Sequence, residues 1–302
     1  MDKINQIKIS KGMKVNELVK GMKYTAFNAG KLSIAVDILE EMIKDKDCRV
    51  FFGQAGALVP GGMQDVINEF LRNKWVDVFV CTGATLTHDL VEGLGFPHLK
   101  LEDGFDDNKL NEQGYDRVYN SLMQNKAYSA LEDFFNKNWD GLSKAGNIRE
   151  FLTLLGGISP KGTILRTAYE NKIPVFCPAL ADSGIGLMIW GRKAAGRKIS
   201  IDAFDDMKEI IDIAWTAKKN GVFYVGGGVP KNFIQQAMQF GKPASYGVQV
   251  TTDNAEFGGS SGAPLQEGIS WGKMQADARF VDVNCDATIA VPLILAGLKD
   301  RL

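Results

Sequence analysis

Apolar positions along the chain fall into two alternating rhythms. Residues 26–45 (AFNAGKLSIAVDILEEMIKD) space them at helical intervals. The CRVFFG run that begins at Cys48 is short and continuously apolar, as a strand buried on both faces is. The succession repeats: a helix from about Gly62 to Arg72, a strand over Val76–Gly83, a helix over THDLVEGL (87–94). Residues 94–115 read as an acidic loop, and helices are predicted over 115–136, 148–155 and 163–171. IPVFCPAL (173–180) reads as a strand and 200–220 as a helix. GVFYVGGG (221–228) is a strand running straight into glycines, with Pro230 in the first turn of the helix that follows. Strands over 245–251 and 279–284 and a last helix over about 286–300 complete the pattern. Strands alternating with helices predict an α/β fold whose mainly parallel central sheet is flanked by helices. No repeat and no Pro/Gly/Ser linker interrupts it, so residues 1–302 are expected to form a single domain.

Composition narrows the function classes. Thirty-five basic residues balance 36 acidic ones for a net charge of -1, without the basic excess of a nucleic-acid binder. The most apolar run, Ala287–Leu298, contains a proline and is too short to span a bilayer. The N-terminal MDKINQIKISKGMK has no apolar signal-peptide core, so a cytoplasmic protein is expected. Cys48, Cys81, Cys177 and Cys285 are scattered in apolar runs, which predicts buried free thiols.

In open α/β sheets, ligands bind at the carboxyl ends of the strands. Here those ends are small or glycine-rich: Gly53-Gln54-Ala55-Gly56, Thr82-Gly83-Ala84, Ala181-Asp182-Ser183-Gly184 and Gly226-Gly227-Gly228. Such turns let backbone N–H groups approach a phosphate at a helix N-terminus, which suggests a nucleotide or dinucleotide. Tight turns that simply need glycine are the alternative, since neither GxGxxG nor a Walker motif is present. Gly258–Gly262 fits GxSxG, but Pro264 follows where the nucleophile elbow needs a helix, and both histidines lie upstream of the serine. Those histidines, His88 and His98, have poor metal-ligand spacing, and no metal site is expected.

Residues 251–274 (TTDNAEFGGSSGAPLQEGISWGKM) form the densest polar segment and follow a strand. Long loops in compact domains are usually functional. This one places Glu267, Trp271 and Lys273 close together. A lysine beside an aromatic ring and other cations can be a nucleophile, and a tryptophan face holds ammonium groups. A surface lysine next to a packed tryptophan is the plainer reading of the same residues.

Phe257–Lys273, ending in Ser270-Trp271-Gly272-Lys273, resembles the active-site signature of the deoxyhypusine synthase family. Asp286-Ala287, Pro178-Ala179-Leu180 with Asp182, Gly226–Val229 with Lys231, and Val76-Asp77-Val78 leading to Thr82 follow in family order over nearly the whole chain. The resemblance implies a Rossmann-like, doubly wound fold, assembled as a homotetramer with active sites at the dimer interface. It implies NAD-dependent transfer of an aminobutyl group from a polyamine such as spermidine, through an imine on an enzyme lysine, to an acceptor amine. The acceptor is a lysine of translation factor 5A in deoxyhypusine synthases and putrescine in the homospermidine synthases of the family. By position, Lys273 is the imine-forming lysine, Trp271 stacks on the amine and Glu267 binds an ammonium end. The NAD contacts fall at Gly56, Ala57, Leu58, Val59 and Pro60, at Thr82, Gly83 and Ala84, and at Asp182, Gly227, Thr252, Asp253, Asp286 and Ala287. The N-terminal arm of the eukaryotic enzymes looks shortened or absent here.

Departures from the family concentrate in the polyamine pocket. A family aspartate is replaced by Leu187 and a histidine by Asn232; a glutamate becomes His88, and an asparagine of the first NAD turn becomes Ala57. The Gly259-Ser260-Ser261-Gly262 turn is one residue shorter and lacks a carboxylate. Asn232, Ser260 and His88 are therefore expected to line an altered substrate pocket. Burying the ammonium groups of spermidine calls for paired carboxylates. Their loss predicts retained chemistry with changed donor recognition, as in homospermidine formation or putrescine or agmatine metabolism. Loss of transfer, leaving a protein that binds NAD or a polyamine, is the further alternative.

Overall fold

A computed structural model describes residues 3–102 and 104–302. In chain order the elements are α1 (Val15–Met22), α2 (Phe27–Lys44), β1 (Cys48–Gln54), α3 (Gln64–Arg72), β2 (Val78–Cys81), α4 (Gly83–Gly93), β3 (Leu99–Lys100), α5 (Asp107–Glu112), β4 (Tyr115–Val118), β5 (Ser121–Gln124) and α6 (Lys126–Leu142). There follow α7 (Ile148–Ile158), α8 (Ile164–Asn171), β6 (Val175–Phe176), α9 (Gly184–Ala194), α10 (Phe204–Thr216), β7 (Lys219–Val225), α11 (Gly228–Phe240), β8 (Ala244–Thr251), α12 (Glu267–Ser270), β9 (Met274–Asn284) and α13 (Ala287–Lys299). This is the α/β alternation that the apolar rhythm predicts. Among the described residues no helix is long and apolar enough to cross a membrane.

The chain divides into two compact units: residues 1–55, 73–80 and 207–302, and residues 56–72 and 81–206. The first unit carries the run β2-β1-β7-β8-β9 of a six-stranded sheet. β1 pairs parallel with β7, β7 with β8 and β8 with β9, with Phe52 opposite Phe223 and Val248 opposite Val281. Val50, Phe51 and Phe52 of β1 and Val222 to Val225 of β7 are all buried, the continuous apolar run of a strand covered on both faces. The Phe52 ring stacks on Phe223 with centroids 4.8 Å apart and meets Phe79 at 5.3 Å. Gly53 has no room for a side chain, since a Cβ there would lie 2.9 Å from the Tyr224 ring.

The second unit is mainly helical. Phe135 of α6 and Phe151 of α7 stack in its interior. Fully buried Asp89 caps α8, accepting from the Ile164 and Leu165 backbone N–H groups and from the Gln64 amide. β3, β5 and β4 make a small antiparallel sheet in that order.

This small sheet is the main departure from the expected elements. Residues 115–124, read as the start of a helix, form the β4–β5 hairpin. Leu122 and Met123 are strong helix formers, yet both are buried on β5. The hairpin turns at Tyr119, whose φ of 54° suits a turn and not a helix. The acidic stretch 94–115, read as loop, contains α5. Asp106 accepts from the Asn108 N–H at its start, and Gly114 follows its end with a φ of 80°, the two helix signals that the acidic composition obscures. The cysteines are all free; Cys81 and Cys177 are buried, Cys48 and Cys285 only partly so.

Candidate active site

A local reversal sets the geometry of the first unit's cleft. α12 is a single turn, after which Gly272 adopts a φ of 68°, a conformation that favours glycine. The chain doubles back, so that the Lys273 N–H donates to the Gly268 carbonyl (2.8 Å) and its carbonyl accepts from the Ala244 N–H (3.0 Å). Lys273 is thereby fixed at the entry to β9, with its Nζ 4.9 Å from the centre of the Trp271 ring. A cation at this distance is attracted to the ring face.

Lys273, Trp271, Glu267, Ser260 and Asn232 line one cleft of about 340 Å³. Five of the six expected catalytic and substrate residues thus come together; the sixth, His88, belongs to the second unit. Beyond Asn232, the α11 wall of the cleft was not singled out in the sequence. Asn232, Gln235, Gln236 and Gln239 of α11 all line the cleft, at the i, i+3, i+4, i+7 spacing that puts residues on one helix face. Glu267 is the one carboxylate among the lining residues and Lys273 the one ammonium; the rest of the polar lining is amide and hydroxyl. Leu187, expected from the resemblance to stand at an aspartate position, is exposed in the second unit.

Beneath the cleft lies Lys231, 1% exposed. Its Nζ donates to the backbone carbonyls of Ser260 and Ala263, both at 2.7 Å, and so straps the Gly-Ser-Ser-Gly turn to α11. Burial pushes the amine down to about 8; Asp282 and Glu267 pull it up and Lys273 pushes it further down. Gly227 makes the same junction from the other side, because a Cβ there would sit 2.3 Å from Ser261 Cα. Asp253 accepts from the Ser261 hydroxyl and from the Asn254 N–H, which ties its carboxylate to the turn. Lys231 was visible in the sequence only as part of the glycine-rich motif.

The expected cofactor residues divide between the units. In the first, the N-cap of α11 is Gly227, so no side chain caps the first-turn N–H groups. Gly228 there has a φ of 59° and open space where a Cβ would point. Thr252 is exposed. Exposed Asp286 caps α13 by accepting from the Thr288 N–H (2.7 Å), and hydrogen bonds from the Thr288 side chain and backbone hold its carboxyl below the usual range. Ala287 is the first residue of that helix. In the second unit, Thr82 caps α4 through the Thr85 N–H, while Gly83 packs so closely that a Cβ would meet Ser183 at 2.5 Å. Ala84 and Asp182 are exposed. Gly56 has a φ of 86° with open space at its Cβ position; it and Ala57 are exposed, whereas Leu58, Val59 and Pro60 are buried. The open space at Gly56 and at Gly228, and the uncapped start of α11, are features that a diphosphate-bearing dinucleotide can use.

His88, on α4, lies in a hydrogen-bonded chain. Its Nδ1 is 2.8 Å from His98 Nε2, and His98 Nδ1 is 2.6 Å from Glu92 Oε1. The same Glu92 oxygen accepts from the His98 backbone N–H at 2.8 Å. Burial, and secondarily His98, push His88 down to about 4, against the opposing pull of Glu92. His98 and Glu92 were not expected as partners; the His88/Glu92 spacing on one helix face was the available signal.

Comparison with known proteins places these features in a family. The family model described as deoxyhypusine synthase matches residues 17–298. "Probable deoxyhypusine synthase 1" of Methanosarcina mazei is 43% identical over 299 residues, 98% of this chain and 94% of that one. "Probable deoxyhypusine synthase 1" of Archaeoglobus fulgidus is 42% identical over 301 residues, 99% of this chain and 98% of that one. Among solved structures, a deoxyhypusine synthase from Entamoeba histolytica superposes with a TM-score of 0.65 at 19% identity, covering 96% of this chain and 94% of that chain. The ternary complex of AgrE with ornithine and NAD+ shares the fold at a TM-score of 0.58 and 11% identity, over 91% of this chain and 34% of that one.

Proposed function

Because the chain belongs to the deoxyhypusine synthase family, a family of transferases, we propose that it moves an aminobutyl group from a polyamine to an acceptor amine by way of Lys273. The observation that carries this reading is the Lys273 amine held 4.9 Å from the Trp271 ring in a cleft that also contains Glu267. NAD is the proposed cofactor; when bound it supplies a hydride acceptor that later returns the hydride. The residues proposed for it are Gly56, Ala57, Leu58, Val59 and Pro60, Thr82, Gly83 and Ala84, and Asp182, Gly227, Thr252, Asp253, Asp286 and Ala287.

The side chains of the cleft divide the remaining work. Glu267 pairs with an ammonium end of the donor and Trp271 covers the alkylamine beside it. Once the donor carbon is at the imine level, Lys273 releases its ammonium proton to water and attacks that carbon: a C–N bond to Nζ forms, the bond to the departing amine breaks, and that amine leaves with a second proton from Nζ. The acceptor amine then displaces Lys273 in the same way. Lys231 keeps the Gly-Ser-Ser-Gly turn, and hence Ser260, in place against α11.

The acceptor is proposed to be either a lysine of translation factor 5A or a small amine. The amide wall of α11 favours the second. With one carboxylate in the lining, a trication has one ionic partner there, whereas a diamine bound to Lys273 through one end needs no more than one. Homospermidine formation, or another use of putrescine or agmatine, fits such a cleft. Assembly as a homotetramer belongs to the same proposal. The test is a product assay: the protein with NAD and, separately, spermidine, putrescine, agmatine, spermidine with putrescine, or spermidine with factor 5A. Amines and factor are analysed by mass spectrometry, with Lys273→Ala alongside. A transferred amine that disappears in the variant supports the reading; no turnover under any condition refutes it.

A further inference from the structure

The chain of His88, His98 and Glu92 has a direction. Glu92 Oε1 accepts from the His98 backbone N–H, and its 2.6 Å contact with His98 Nδ1 requires a hydrogen between them. When His98 carries a single ring hydrogen and that hydrogen lies on Nδ1, toward Glu92, its Nε2 is an acceptor. The 2.8 Å contact to His88 then requires the hydrogen on His88 Nδ1. His88 Nε2 is left with a lone pair, and no described residue donates to it. The middle of the chain is dry and its ends are not: the His98 side chain is 4% exposed and the Glu92 side chain 27%, while His88 is half-buried. The neighbouring carboxylate, Asp89, is bonded to Gln64 and the start of α8 and takes no part.

We propose that Glu92, His98 and His88 form a proton relay that presents His88 Nε2 as a neutral base to a hydroxyl or ammonium group of a bound ligand and delivers the proton to Glu92. When the ligand O–H or N–H gives its proton to His88 Nε2, His88 Nδ1 passes its hydrogen to His98 Nε2, and His98 Nδ1 passes its own to Glu92. The ligand atom keeps the lone pair. Both imidazoles remain neutral with their hydrogens moved to Nε2, and Glu92 ends protonated at its exposed edge, where water removes the proton. No imidazolium has to form in the buried middle, where desolvation would oppose it. His88 is the group that meets the ligand; His98 and Glu92 are positioning residues that set its tautomer.

The chain has two histidines, so ¹⁵N-histidine labelling reports the relay directly, with His88→Asn assigning the signals. At pH 7 both rings of the wild type are expected to carry hydrogen on Nδ1. Glu92→Gln keeps an oxygen acceptor for both His98 N–H groups and leaves the two tautomers unchanged. Glu92→Ala frees His98 to take the Nε2–H form, which donates to His88 Nδ1 and moves the His88 hydrogen to Nε2, although His88 is untouched. Hydrogen on His88 Nε2 in the wild type, or no change at His88 in Glu92→Ala, overturns the relay.

Discussion

Replacing Lys231 by methionine removes a buried ammonium group and leaves a side chain of similar length. The drop of the amine from 10.5 to about 8, at about 1.4 kcal/mol per pH unit, corresponds to roughly 3 kcal/mol. Below pH 8 the native protein carries this cost, because Lys231 is charged in both states and only the native state buries the charge. Between pH 8 and 10.5 the unfolded chain holds a proton that the native protein has released, so native stability rises with pH. The neutral amine still donates to the Ser260 and Ala263 carbonyls. Equilibrium denaturation of the wild type and Lys231→Met across pH 7 to 10.5 is therefore predicted to show the wild type rising in stability relative to the variant. The wild type gains up to about 3 kcal/mol relative to the variant as pH rises through that window. A wild-type stability that stays constant, or falls, relative to the variant with rising pH would refute the argument that burial dominates this lysine.

Other perturbations probe the same cleft. Gly227→Ala forces a Cβ to 2.3 Å from Ser261 Cα, a backbone clash expected to cost about 1–3 kcal/mol and to speed amide hydrogen exchange in residues 258–264. Trp271→Ala removes the ring beside Lys273 and is expected to raise the donor KM about 2- to 30-fold, from roughly 0.5–2 kcal/mol of cation–π attraction; an unchanged KM would mean that the amine does not use this face. Gln236→Glu adds a second carboxylate to the cleft. It is expected to shift kcat/KM toward spermidine over putrescine about fivefold, from roughly 1 kcal/mol for a partly solvated ion pair.

Local chemistry made most of the architecture legible. Continuous apolar runs such as VFFG and GVFYV announce strands covered on both faces, and the glycines that follow announce their carboxyl ends. The hairpin at 115–124 was hidden because Leu122 and Met123 favour helices, while the turn depends on the backbone of Tyr119, a residue with no turn signature. The site was legible where one segment carries it: Glu267, Trp271 and Lys273 are sequence neighbours, and the Gly272 reversal brings them to one cleft. It was illegible where contact depends on tertiary packing. Nothing in the spacing of Lys231 and Ser260, 29 residues apart, reveals that an ammonium straps a backbone carbonyl. The histidine pair illustrates both cases. Ten residues is a poor spacing for a shared metal, yet the loop after α4 folds His98 back onto His88 with Glu92 behind it.

The central claim is that Lys273 carries the aminobutyl group. The direct measurement is reductive trapping: wild type and Lys273→Arg incubated with NAD and either spermidine or putrescine, treated with borohydride, digested and mapped by mass spectrometry. The account predicts one aminobutyl addition on the peptide containing Lys273, dependent on NAD and absent from the variant. An amine product that forms without any adduct at Lys273, or an adduct that persists in Lys273→Arg, would contradict it.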